Sequence, residues 1–244
     1  MEIAANYIDL KVSDATTMRA YTAQPKSSPA RAGLILGQEA FGVNAHIRDV
    51  AERFAREGYV AIAPELFHRT GAGVEIRYDD FPAAMPHMRA MTGAGIEADI
   101  RACYDWLIAQ HGANWPVVSV GFCMGGRVAF HAALTLPLRG AVSFYGGGIA
   151  PSPASNAPGL LNRAGELRAP MLFFWGGKDK HVTLEHSRAV VDALRAAGKS
   201  YVNVDISDAD HGFFCDARPS YSSAAAAMAW PLTLAFLNAH IAAS

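Results

Sequence analysis

Long apolar runs are missing from this chain. No stretch reaches about 18 residues free of charges and turn-breaking residues, so no membrane-crossing helix is expected. The first residues, MEIAANYIDLKVSDATTMRAY, carry no basic segment followed by an apolar core, so no signal peptide is expected either. Cysteine is scarce. Three residues at wide spacing cannot make a disulfide framework, and a reducing cytoplasm is the simplest home. Charge is scarce too, at 18% of residues with a net charge of −1. With no basic cluster, nucleic acid and anionic membrane surfaces are excluded as partners. Repeats, linkers and composition shifts are also lacking. A chain of 244 residues, 51% of them hydrophobic, can bury a sizeable core, and the reading is one α/β domain over 1–244.

What is there is alternation. AGLILG (32–37), YVAIAP (59–64), PVVSVG (116–121), GAVSFYG (140–146), PMLFFWG (170–176) and YVNVDI (201–206) read as strands. Their almost unbroken apolar character predicts strands covered on both faces, as in a parallel sheet. Helical spacing marks 44–57, with Asn44 as N-cap and Gly58 just beyond the end, then 96–110 and 183–197. The order predicts a mostly parallel, doubly wound sheet of about eight strands with helices on both faces. Two weaker β-type runs, YIDLKV and MRAYTA, predict an antiparallel edge hairpin. Residues 65–95 and 146–169 lack periodicity and follow strands. Both are expected over the carboxyl ends of the sheet, where ligands bind in such folds. The final run, 222–243, reads as helical with a kink or a fresh start at Pro231.

The chemistry gathers around GFCMGGRVAF, residues 121–130. Strand, then Gly-x-Cys-x-Gly, then helix is the geometry of a nucleophile elbow. Cys123 at the corner is either a nucleophile at a helix N-terminus, where the dipole favours a thiolate, or a small buried residue among glycines. Its partners favour the first reading. This fold needs the order nucleophile, acid, base. Asp179 follows the strand PMLFFWG, and His211 follows the strand YVNVDI. Asp208 and Asp210 compete as the acid, but lie too close to His211 in sequence to orient its ring from a separate strand. The oxyanion hole is expected from the backbone N–H groups of Met124 and Ala40. Glu39 is unusual there, since a carboxylate repels developing negative charge. It either caps a helix or lies at the surface, or it is a second acid–base group near Cys123.

GQEAFGVN, GFCMGG, GGKDKHV and ADHGFF together resemble the dienelactone hydrolases (carboxymethylenebutenolidases), cysteine-dependent α/β-hydrolases, from about residue 5 to 240. The resemblance implies Cys123 as nucleophile, His211 as base and Asp179 as its orienting acid. It implies that Glu39 takes the thiol proton as substrate binds, and that the resting thiol is neutral and turned away. It implies opening of an enol-lactone through a thioester, with no metal or organic cofactor. The family has an arginine a few residues after the histidine to bind a substrate carboxylate. Here Cys215 holds that place and Arg218 lies three residues on. A second family arginine falls among Arg69, Arg77 and Arg89.

Phe41, His68, Tyr78, Tyr145, Trp175 and Phe213 follow strand ends and are candidate pocket walls, with core packing as the competing role for the aromatics. Asp79 and Asp80 form an acidic pair without a ligand histidine at helical spacing, so no metal is expected. Cys103 falls on a buried helical stripe. The expectation is a cysteine-dependent hydrolase of a small lactone or ester, a monomer or small homo-oligomer. A general carboxylesterase or thioesterase, and a non-catalytic redox-sensing protein with a reactive Cys123, are the alternatives.

Overall fold

The computed structural model describes residues 1–151 and 159–242. The middle of the 146–169 segment therefore lies outside the described residues. The chain divides into two compact units, Met1–Ser119 and Val120–Ser244.

The first unit opens with the expected hairpin, β1 (Ile3–Lys11) and β2 (Thr17–Pro25), paired antiparallel with Leu10 opposite Met18. Strand β3 (Ala32–Gly37) leads into helix α1 (Ala45–Arg56), and β4 (Tyr59–Pro64) follows. β2 joins β4 antiparallel and β3 joins β4 parallel. Every residue of β3 and β4 is buried, which is why they read as continuous apolar runs. The Asn44 side chain caps α1 by accepting from the Ile47 N–H at 3.2 Å. The helix buries Ile47, Val50, Ala51, Phe54 and Ala55 and ends at Gly58, whose φ of +91° suits glycine.

The 65–95 segment differs from the reading as an irregular loop. It contains helix α2 (Phe81–Ala90), and helix α3 (Gly93–His111) already starts within it, capped by Thr92. Pro82 and Pro86 disguise α2. The first occupies the opening turn, where a missing N–H costs little, and the second lies inside the helix. Strand β5 (Val117–Phe122) carries the boundary between the units.

In the second unit, helix α4 (Met124–Thr135) follows β5 at once and is buried almost all round. Then come β6 (Gly140–Phe144), a short 3₁₀ turn (Leu161–Glu166), β7 (Met171–Gly176), α5 (Leu184–Ala196), β8 (Tyr201–Ile206) and α6 (Ser223–Ala242). β6, β7 and β8 pair in parallel register. The strand order is β1-β2-β4-β3-β5-β6-β7-β8, the mostly parallel α/β-hydrolase sheet. β1 and β8 are the largely exposed strands, because they are the two edges of the sheet.

Helix α6 runs on through Pro231 and does not restart there. Pro231 lies on the exposed side of the helix. Because the helix is continuous, it is long and apolar enough to cross a membrane by length and composition, although only 22% of that span is buried.

Candidate active site

Three turns at the ends of β5, β7 and β8 build a site within the second unit. At the first, the chain leaves β5 at Phe122 and enters α4 at Met124, so Cys123 alone makes the corner. Its φ of +56° is a conformation that costs a non-glycine residue about 1–3 kcal/mol. The surroundings enforce it. The Cys123 N–H donates to the Phe144 carbonyl at 2.9 Å, tying the corner to β6. A side chain on Gly121 would run into the Gly125 carbonyl, so strand and helix approach closely only because Gly121 has no Cβ.

At the second turn, the Asp179 N–H donates to the Gly176 carbonyl at 3.2 Å. The Asp179 carboxylate then divides its work. Oδ1 accepts from the N–H groups of His181 at 2.7 Å and Val182 at 2.8 Å, which leaves Oδ2 fixed for another donor. The third turn is linked to the second by the Lys178 N–H, which donates to the Ala209 carbonyl at 2.9 Å. Asp210 Oδ1 accepts from the His211 backbone N–H at 2.6 Å, so this acid serves the main chain and not the ring.

The three side chains meet in line. Asp179 Oδ2 lies 2.7 Å from His211 Nδ1, and His211 Nε2 lies 3.1 Å from Cys123 Sγ. Burial raises the Asp179 pKa, but the hydrogen bond and charge of His211 and the two backbone N–H groups outweigh it, and the carboxyl stays below its ordinary value. Burial pushes the His211 pKa down. The negative charge of Cys123 and the bonds to Asp179 and Cys123 overcome it and raise the imidazole to about 10. The expectation of a thiol turned away from the histidine is not met: Sγ faces the ring.

The other candidates fall as follows. In the second unit, Tyr145 (φ +39°) packs its ring 5.1 Å from His211 and 5.3 Å from the buried Phe213. Trp175 stacks on Phe173, and its indole N–H donates to Asn203 on β8 at 2.6 Å. In the first unit, Phe41 meets Tyr78 edge-on at 4.7 Å. His68 Nε2 lies 3.1 Å from the buried Asp99, which also receives both guanidinium nitrogens of Arg69. Arg69 is thereby committed to Asp99 and Asp14, and Arg77 to Asp79. The Asp79–Asp80 pair is split, since Asp80 instead caps α2. Ala40 is buried in the first unit, and Met124 opens α4 in the second. Glu39 is fully buried and α1 is capped by Asn44, so neither the surface nor the helix-cap role holds for Glu39.

Arg218 was three residues too far along the chain to align, yet it folds back. Successive turns, Cys215 N–H to Gly212 and Arg218 N–H to Cys215, bring its guanidinium against Gly212, directly after His211. Two histidines not among the sequence candidates also lie here. His181 packs edge-on to His211 at 5.3 Å. His186 is buried on α5 in phase with Val190 and Leu194, and that i, i+4, i+8 phase was the available signal.

The Dienelactone hydrolase family model matches residues 18–241. The chain belongs to the dienelactone hydrolase family. A relative from Salmonella typhimurium, provisionally named a carboxymethylenebutenolidase, is 35% identical over 89% of this chain and 81% of its own. The carboxymethylenebutenolidase of Pseudomonas putida is 28% identical, covering 94% of both chains. A crystal structure from Klebsiella pneumoniae, provisionally named a dienelactone hydrolase, superposes with a TM-score of 0.89 at 32% identity, covering 98% of this chain and 99% of that one. This dienelactone hydrolase-like protein is accordingly a hydrolase of carboxylic ester bonds, and a small ester or lactone is the consistent substrate.

Proposed function

We propose that this family member opens a small lactone or ester by a Cys123–His211–Asp179 triad through a thioester acyl-enzyme, in the cytoplasm and without a cofactor. The observation that carries the reading is the unbroken line from Asp179 Oδ2 through the His211 ring to Cys123 Sγ, with contacts of 2.7 and 3.1 Å. The thiolate attacks the carbonyl carbon, and the backbone N–H of Met124, at the start of α4, receives the oxyanion. The C–O bond breaks as His211 gives its proton to the leaving oxygen. Water, deprotonated by His211, then cleaves the thioester. Arg218, beside Gly212, is the proposed anchor for a substrate carboxylate.

The test is a panel of lactones, aryl esters and thioesters compared by kcat/KM, with the acid-quenched enzyme weighed by mass spectrometry. The expected result is a lactone or ester preference and an acyl adduct on the Cys123 peptide. Turnover with an adduct elsewhere, or none on Cys123, defeats the mechanism. A preference for thioesters favours the general thioesterase instead.

Glu39 is proposed, as the resemblance implies, to take part in proton transfer. Glu39→Gln is expected to lower kcat by about 10²-fold, the usual share of one acid–base group, with little change in melting temperature. Wild-type kcat in that variant rejects the role.

A further inference from the structure

His186 sits in the first turn of α5, only 7% exposed, on a face otherwise filled by Ser187, Val190 and Leu194. An apolar residue would pack there without the cost of burying a ring with two polar nitrogens. One side of this ring has clear work, on the loop that follows β6. The Ala150 N–H donates to His186 Nε2 at 3.3 Å. Since Nε2 receives a donor, the proton of the neutral ring sits on Nδ1. The imidazole therefore ties down the far end of the turn 146–150. Burial holds its pKa below the ordinary 6.5, against the opposing pull of Asp179, so the ring stays in the neutral form that accepting this bond needs.

The turn matters because of its neighbours. Tyr145, the residue before it, packs its ring at a tilt against His211, 5.1 Å away. Gly146 presses on Gly126 in the first turn of α4, one turn beyond Cys123, so closely that a Cβ on it would sit 3.2 Å from the Gly126 backbone. Gly147 faces Val182, whose N–H holds Asp179. The loop thus touches the nucleophile helix, the base and the acid turn.

We infer that His186 is a positioning residue for hydrolysis: its ring pins Ala150, and so fixes the loop that carries Tyr145 beside His211. The effect on turnover rests on the cysteine mechanism proposed above; the pinning of the loop does not.

Three proteins separate the possibilities: wild type, His186→Ala and His186→Gln. Glutamine offers an acceptor and can restore the bond from the Ala150 N–H; alanine offers none. In His186→Ala, hydrogen exchange at the Ala150 amide should quicken about tenfold, the worth of one net hydrogen bond. Its kcat on the best ester should fall about 10–100-fold through misplacement of the loop, with alkylation of Cys123 by iodoacetamide within about twofold of wild type. His186→Gln should restore Ala150 protection and most of kcat. Unchanged Ala150 exchange in the alanine variant overturns the pinning. Normal kcat with exchange quickened overturns the link to turnover. A glutamine variant as impaired as alanine, or alkylation lost in parallel with kcat, shows general damage and also overturns the inference. If wild type hydrolyses nothing on the panel, the proposed reaction falls while the exchange result still decides the pinning.

Discussion

Cys123→Ala is expected to lower kcat/KM for the best lactone or ester by about 10⁵–10⁶-fold, the usual effect of deleting a nucleophile that works as part of a unit. His211 and Asp179 cannot compensate, because His211 Nε2 is aimed at Cys123 Sγ at 3.1 Å and loses its reacting partner. The fold should survive. Cys123 is neither large nor fully buried, and alanine must adopt the same positive φ of +56° that cysteine already tolerates. Cys123→Gly supplies the internal control. It is equally inactive, but glycine adopts that φ freely, which relieves about 1–3 kcal/mol of strain against a smaller entropic loss. In a chain of this size its melting temperature should exceed that of the alanine variant by about 2–4 °C. Substantial activity in either variant removes Cys123 from the mechanism. Equal melting temperatures would mean that the elbow stores no strain.

The three side chains that meet, Cys123, His211 and Asp179, were legible as candidates because each stands at a place with a local signature. Gly121 and Gly125 announce the elbow, and Asp179 and His211 each follow a strand that is apolar enough to read. The strands themselves were legible for the same reason: β3 to β7 are buried throughout, so burial leaves a continuous mark in the sequence. What was not legible depends on how the chain folds back, which local pattern does not encode. Arg218 reaches Gly212 only through two successive turns after His211. Helix α2 was hidden by prolines that signal irregular chain when read without their position in the helix. The Cys123 thiol points toward His211 Nε2 at 3.1 Å, a contact across 88 residues that the elbow motif does not encode. The place of His186 was not legible, because the backbone group it serves lies 36 residues earlier, at Ala150.

Asp179→Asn is expected to lower kcat by about 10⁴-fold while the protein stays folded. The argument lies in which oxygen does what. Oδ1 receives the N–H groups of His181 and Val182 and holds the turn together, whereas Oδ2 receives the His211 ring. An asparagine keeps its single oxygen where two backbone donors want it. Its NH₂ group then faces His211 Nδ1, and the ring must turn its proton to Nε2. A neutral ring with its hydrogen on Nε2 cannot accept the thiol proton of Cys123, so the nucleophile is formed only rarely. The pH dependence of stability gives a second readout with a definite sign. In wild type the His211 pKa stands at about 10, above its ordinary 6.5. The stability this contributes is complete below about 6.5 and is lost as pH rises through about 10. Asp179, with its pKa held below the ordinary 3.8, contributes above that value and loses its contribution as pH falls through the lowered one. The melting-temperature gap between wild type and Asp179→Asn should therefore be widest between about pH 4 and 6.5 and should close toward pH 10. A gap that widens with rising pH would show that Asp179 does not hold the imidazolium, and a normal kcat would remove Asp179 from the triad.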